Sequence, residues 1–174
     1  MAAKRGGGPS LFEAASERRL RELPTGSEGA APLAERMRPR SLRDIAGQRH
    51  LLTPGKLLAE AVSRDRVPSM ILWGPPGCGK TTLARVIAEH TRATFVPYTA
   101  VSGSVPELRQ ILGRAAEARA YRNERTLLFI DEIHRFHRGQ QDALLPDVEK
   151  GTVVLIGATT ENPSFAVNAA LLSR

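Results

Sequence analysis

Cysteine is nearly absent from the 174-residue sequence: Cys78 stands alone. That excludes a disulfide framework and any zinc cluster built on cysteines. Long apolar runs are missing too. The longest clean one, Val153 to Ala158 with Gly157 inside it, falls far short of the ~20 residues that a membrane span needs. No apolar segment with a cleavage site follows the N-terminus, so no secretory signal is visible, and the cytosol is the expected compartment. Lysine is scarce, limited to Lys4, Lys56, Lys80 and Lys150, so the positive charge is carried almost wholly by arginine.

What is present is an ordinary globular composition, 41% apolar and 25% charged. That excludes disorder throughout, and the length suits one domain of about 100–200 residues. The formal charge of +7 points to a polyanionic partner, most often nucleic acid, if it is concentrated on one surface. Spread evenly, the same charge merely favours solubility.

Residues 1–32 read as a mobile basic tail. Gly6-Gly7-Gly8-Pro9 and Pro24-Thr25-Gly26-Ser27-Glu28-Gly29 are rich in breakers, and between them Ser10 and Glu13 fit a capping box opening a short helix. From Pro32 onward the chain is structured. Leu33 to Met37 reads as helix stopped by Arg38-Pro39, Leu42 to Gln48 as a turn-helix with a glycine break, and Lys56 to Arg64 as a helix started by Pro54. Strands and helices then alternate. Strands are expected at Met70–Trp73 (buried on both faces), Thr94–Tyr98, Thr126–Ile130 and Thr152–Ile156. Helices are expected at 80–90, 107–122 and 140–149, the last broken or kinked at Pro146. This alternation implies a parallel α/β sheet.

Three strand ends carry chemistry. Gly74-Pro75-Pro76-Gly77-Cys78-Gly79-Lys80-Thr81 matches G-x-x-x-x-G-K-[ST] between an apolar strand and a helix. Such a loop turns backbone N–H groups and a helix N-terminus toward phosphate oxygens. Lys80 would reach the β- and γ-phosphates of a triphosphate, and the Thr81 hydroxyl, followed by Thr82, would ligate Mg²⁺. Cys78 at this helix start could take a redox role, but a tolerated small residue is the plainer reading. Leu127-Leu128-Phe129-Ile130 ends in Asp131-Glu132, a carboxylate for the Mg²⁺ shell and a general base for the attacking water. Leu155 to Asn162 runs a strand into a polar cluster that could bond the γ-phosphate or the water, although spacing alone fits an ordinary turn.

These residues resemble an AAA+ ATPase, and more narrowly the replication-associated recombination protein A family, with its eukaryotic relative, the Werner-helicase-interacting protein. The resemblance covers about residues 33–174. It rests on Ala34 to Pro39, Gly47-Gln48, Ile71 to Ala84, Phe129 to Phe136, Gln140-Gln141-Asp142, Gly157 to Phe165 and Asn168 to Arg174. The run Gly157 to Phe165, together with Asn168 to Arg174, separates this family from clamp loaders and Holliday-junction branch-migration motors.

The resemblance implies a P-loop αβα sandwich, ATP and Mg²⁺ as cofactors, and a cytoplasmic, nucleoid-associated protein acting at stalled replication forks on DNA, with ends or single/double-strand junctions as its targets. It makes Thr160 sensor 1, with Asn162 the alternative. It places Arg38-Pro39 and Ile45 to Gln48 against the adenine, and makes Arg174 an arginine finger serving a neighbouring subunit of a homo-oligomer. Fingers of this kind contribute about 10³–10⁵ in rate.

Family members continue past Ser173-Arg174 into a fifth strand, a helical lid and an oligomerisation domain. The expectation is therefore a partial nucleotide-binding domain over 33–174, with Met70–Trp73 left as an apolar edge and with weak ATPase activity of its own. Arg135, Arg138 and the arginines of 107–122 are candidate DNA-phosphate contacts or simply a solvated face. Leu11-Phe12 could dock on a sliding clamp, or be two hydrophobes in a transient helix. A non-catalytic adaptor binding a sliding clamp or single-strand-binding protein, and a clamp-loader-like subunit, are the rival readings.

Overall fold

The computed structural model describes residues 32–39 and 41–174. The tail expectations (the capping-box helix from Ser10 and the Leu11-Phe12 docking pair) lie outside the described residues. The chain divides into two units, residues 1–38 and 39–174. In the first, the described part holds one helical turn, α1 (Leu33–Arg36), which ends ahead of Pro39 as expected of a residue that cannot continue a helix.

The second unit begins with a 3₁₀ turn, Leu42–Asp44, closed by a reciprocal capping box between Ser41 and Asp44. The turns α2 (Arg49–Leu52) and α3 (Leu57–Ser63) follow. The expected helix from Pro54 is corrected here. Gly55 takes φ +86°, outside the helical region, so α3 starts later, at Leu57 behind an extended Lys56. The chain then alternates β1 (Met70–Trp73), α4 (Lys80–Glu89), β2 (Thr94–Thr99), α5 (Val105–Arg122), β3 (Thr126–Asp131), a 3₁₀ turn Ile133–Arg135, α6 (Arg138–Glu149), β4 (Val153–Thr159), α7 (Pro163–Ala166) and α8 (Ala169–Leu172).

The four strands form one parallel sheet in the order β1-β4-β3-β2. Their side chains alternate between two cores. Leu128, Ile130, Val153 and Leu155 pack with Leu108, Leu112, Leu144 and Leu171. Leu127, Phe129, Ile156 and Ala158 pack with Val62, Leu83, Ala84 and Ile87. Helices therefore cover both faces, α5 and α6 on one and α3 and α4 on the other, giving the αβα sandwich that the apolar run Leu127–Ile130 of β3 requires.

Two further readings change. The strand β1 is covered on both faces but only partly buried: Ile71 packs against one core and Met70 and Leu72 against the other. Among the described residues its one neighbour is β4, and Trp73 at its end is 60% exposed. The helix α6 is neither broken nor late in starting. His137 and Gln140 cap it reciprocally, which opens it at Arg138, and it runs through Pro146. Pro146 is exposed, so solvent can satisfy the carbonyl its ring leaves unbonded, while Leu144 and Val148 hold the helix down on either side.

Candidate functional site

Ligands of open α/β sheets gather outside the carboxyl ends of the strands, and three adjacent strands, β1, β4 and β3, bring the sequence motifs there. The loop after β1 is tied to β4 by Gly74 N–H donating to the Thr159 carbonyl (3.2 Å). Gly77 and Gly79 have φ +76° and +91°, with open space where a Cβ would stand. Conformation rather than crowding therefore demands glycine at both. Gly79 is the N-cap of α4, so the loop delivers the chain into a ten-residue helix whose first N–H groups need acceptors.

Lys80, the first helical residue, folds back over the loop. Its Nζ donates to the carbonyls of Gly74 (2.8 Å) and Pro75 (3.0 Å). Thr81 and Thr82 follow, half-buried in the first turn, while Pro75, Pro76 and Cys78 are exposed. A Cβ on Gly74 would meet Cys78 Sγ at 2.8 Å, so a side chain there would require the thiol to turn aside.

At the end of β3, Asp131 Oδ1 accepts the N–H of Glu132 (3.2 Å). Glu132 itself lies in the left-handed region, φ +55° and ψ +46°, a conformation costing about 1–2 kcal/mol for a residue with a Cβ. This sharp turn ends β3, starts the 3₁₀ turn and brings the Glu132 carboxylate to His134, with Oε2 3.3 Å from Nε2. At the end of β4, Thr159 is fully buried and stands opposite Trp73 in the ladder. Thr160 follows, half-buried. The Asn162 side-chain oxygen accepts the Ser164 N–H (3.0 Å) and caps α7.

The structure thus brings the loop 74–82, Asp131, Glu132 and Thr160 to one end of three neighbouring strands. Arg174 is not among them. It pairs with Glu149 (2.6 Å), the last residue of α6, where that helix leads back toward the start of β4. His134 is the residue that sequence reasoning quoted only inside a motif. Its partner Thr159 lies 25 positions away, and only its place three residues after Asp131 could have drawn notice.

The donor set fits a nucleotide triphosphate. The loop offers backbone N–H groups, a helix N-terminus and an ammonium, which suit concentrated negative charge. The Thr81 hydroxyl and Asp131 carboxylate are hard oxygen ligands suited to Mg²⁺, which is held typically by one or two carboxylates together with substrate phosphates. Beside α4, a cavity of about 430 Å³ is lined by Leu42, Ile45, Ala46, Gly47, Arg49 and Leu52, and Leu42 and Ile45 pack against the core that contains Leu83 and Ala84.

Among the arginines, Arg109, Arg114, Arg119, Arg135 and Arg138 are exposed, and Arg122 pairs with Glu124 (3.0 Å). Along α5 each successive arginine of the first three stands five residues on, about 140° round the axis, so they form no single stripe. No helix among the described residues is long and apolar enough to cross a membrane.

A model of the ATPase family associated with various cellular activities (AAA) matches residues 70–174. Replication-associated recombination protein A of Escherichia coli K12 is 54% identical over 143 residues, covering 82% of this chain and 32% of that protein. The ATPase WRNIP1 of Dictyostelium discoideum is 46% identical over 144 residues, 83% of this chain and 16% of its own length. The chain therefore spans about a third or less of these curated relatives. Among solved structures, the Thermotoga maritima RuvB Holliday junction branch migration motor superposes with a TM-score of 0.64 at 32% identity, covering 79% of this chain and 46% of that one. With its four-stranded order and phosphate-type loop, the chain has part of the AAA+ α/β fold; it belongs to the AAA family of ATPases and is consistent with the replication-associated recombination protein A and WRNIP1 branch of that family.

Proposed function

We propose that this chain supplies the nucleotide-binding and hydrolysing part of an ATPase that acts on DNA in replication-associated recombination. The observation that carries the reading is the loop 74–79, left-handed at Gly77 and Gly79 and delivering Lys80 to the start of α4. The names of the relatives support the cellular context.

In this reading the loop N–H groups cradle the phosphates, and Lys80 exchanges its two carbonyl acceptors for the β- and γ-phosphate oxygens. The adenine lies toward the cavity at Ile45, Ala46 and Gly47. Thr81 and Asp131 hold Mg²⁺, which when bound neutralises charge on the phosphates. Glu132 accepts a proton from the attacking water, and Thr160 bonds the γ-phosphate or that water. Arg174 serves the nucleotide of a neighbouring copy, in keeping with its place away from this chain's own loop. Arg135 and Arg138 contact DNA phosphates, and a sliding clamp or single-strand-binding protein recruits the protein to stalled forks in the cytoplasm.

The test is binding of a fluorescent ATP analogue with Mg²⁺, together with phosphate release. Lys80→Ala is expected to weaken binding and hydrolysis by at least about a hundredfold, with the thermal midpoint unchanged. Undiminished binding in that variant would overturn the reading in favour of a non-catalytic adaptor.

A further inference from the structure

The side chain of His134 is 5% exposed, and every polar contact it makes serves the end of the sheet that carries the motifs. Its Nδ1 lies 3.1 Å from the Thr159 hydroxyl. Its Nε2 lies 3.3 Å from Glu132 Oε2 and 3.6 Å from Glu161 Oε1. A carboxylate can only accept, so the tautomer that suits both contacts carries its hydrogen on Nε2, facing Glu132. The Thr159 hydroxyl is itself anchored, since it accepts the Glu161 N–H (3.0 Å). The ring is thus pinned from β4 on one side and holds a carboxylate of the β3 end on the other.

The surrounding packing keeps it so. Ile133, directly before it, is fully buried and fits over Gly157, where an added Cβ would stand 3.0 Å from Ile133 Cδ1 and 2.7 Å from Ile71 Cδ1. The absence of a side chain at position 157 leaves room for Ile133 and Ile71, whose tips would have to shift for an added Cβ. A nine-tenths-buried imidazole aimed at a left-handed glutamate is more than a strand end needs for stability. Apolar side chains of similar volume would fill the same space without requiring two polar partners.

We infer that His134 is a positioning residue: pinned by Thr159, it fixes the rotamer of the Glu132 carboxylate and so couples the β4 end, where Thr160 follows, to the group that activates water. The inference rests on the reading of Glu132 as general base. The coupling is physical and short: Thr159 hydroxyl, His134 ring, Glu132 carboxylate. Displacement of the β4 end would turn the ring and with it the carboxylate. His134 touches no substrate atom in this scheme and acts only through Glu132.

The experiment compares His134→Leu, His134→Gln, Glu132→Gln and the double variant His134→Leu/Glu132→Gln, each by nucleotide affinity, single-turnover hydrolysis and thermal midpoint. Leu keeps the volume and loses the hydrogen bonds, and Gln restores a donor near Nε2. The expected result is that His134→Leu slows hydrolysis by at least about tenfold at unchanged nucleotide affinity, that His134→Gln recovers much of that loss, and that the double variant is no slower than Glu132→Gln alone. Additive losses in the double variant, or equal losses in the Leu and Gln variants, would overturn the positioning role. If Glu132→Gln alone hydrolyses normally, it is the general-base reading that fails. A readout independent of turnover covers a protein that hydrolyses slowly: the imidazole ¹⁵N resonances of His134 are expected to move on Glu132→Gln and on Thr159→Val, and their staying fixed in both would also overturn the proposal.

Discussion

Two acidic residues, at opposite ends of the sheet, sit in the left-handed region with nearly the same φ: Glu132 at +55° and Asp65 at +53°. Asp65 lies before β1, where strands begin. Its carboxylate is ion-paired to Arg125 and accepts the N–H of Arg92 (3.1 Å), and Arg125 also reaches the Asp65 carbonyl. One residue there ties together the approach to β1, the approach to β2 and the start of β3, and its acceptors are all in use. The Glu132 carboxylate, where strands end, has one close polar contact, the His134 ring, which also lies 3.6 Å from Glu161, so much of it is uncommitted. The same backbone strain is stored at both ends. At one it is repaid by a closed network, and at the other it holds a carboxylate ready for a ligand, the pattern expected where strain serves chemistry.

Substitutions that separate stability from turnover sharpen this contrast. The largest effect is expected from Glu132→Gln: a loss of about 10²–10⁴-fold in hydrolysis, the usual weight of a general base, with no fall in thermal midpoint because little of its carboxylate is bonded. A midpoint that drops as hydrolysis drops would erase the distinction between the two ends.

Asp65→Asn is expected to do the reverse. It keeps a side chain tolerant of the left-handed conformation but removes the charge opposite Arg125. The expected cost is about 1–2 kcal/mol, or roughly 3–6 °C in thermal midpoint, with nucleotide binding unchanged in the folded protein. Calorimetry beside the ATP-analogue assay reads both.

A smaller effect tests the side wall. Burial, and then the Glu107 carboxylate, push the Tyr98 phenol above its ordinary value, and its hydroxyl donates to the Ser104 carbonyl (3.0 Å). The neutral form is favoured by the fold, so the stability it contributes is present below about pH 10 and is lost as pH rises through the raised value. In a Tyr121→Phe variant, which leaves Tyr98 the one tyrosine, ultraviolet titration should show a midpoint above about 10. A midpoint at or below that value would mean the β2–α5 corner is open to solvent.

The strands and the phosphate-type loop were legible because their signals are local. Met70–Trp73 and Leu127–Ile130 are short apolar runs bounded by breakers or charge, and the loop spacing is stringent. What escaped depends on contacts distant in sequence or on unusual caps. The turn Arg49–Leu52 has no periodicity to read. His137 is an uncommon N-cap, recognisable only once Gln140 is seen answering it. Pro146 looks like a break until its exposure on α6 is known. The role of His134 was hidden because Thr159 comes from another strand. The edge position of β1 was foreseen from the family resemblance, whereas its apolar sequence by itself suggests burial on both faces.

That edge position has a kinetic consequence. Among the described residues β1 pairs only with β4, and Ser69, just before it, accepts the Leu155 N–H from 86 positions away. The pairs β2·β3 and β3·β4 span shorter segments and close smaller loops, which cost less entropy. The strand that launches the phosphate loop should therefore dock after β2, β3 and β4, since its pairing waits for β4 to form. Trp73, the one tryptophan, sits on that strand and makes its arrival visible. In refolding, its emission is expected to change in the slowest phase, after far-ultraviolet dichroism has recovered, so that competence for nucleotide should appear together with the tryptophan signal rather than with the helices.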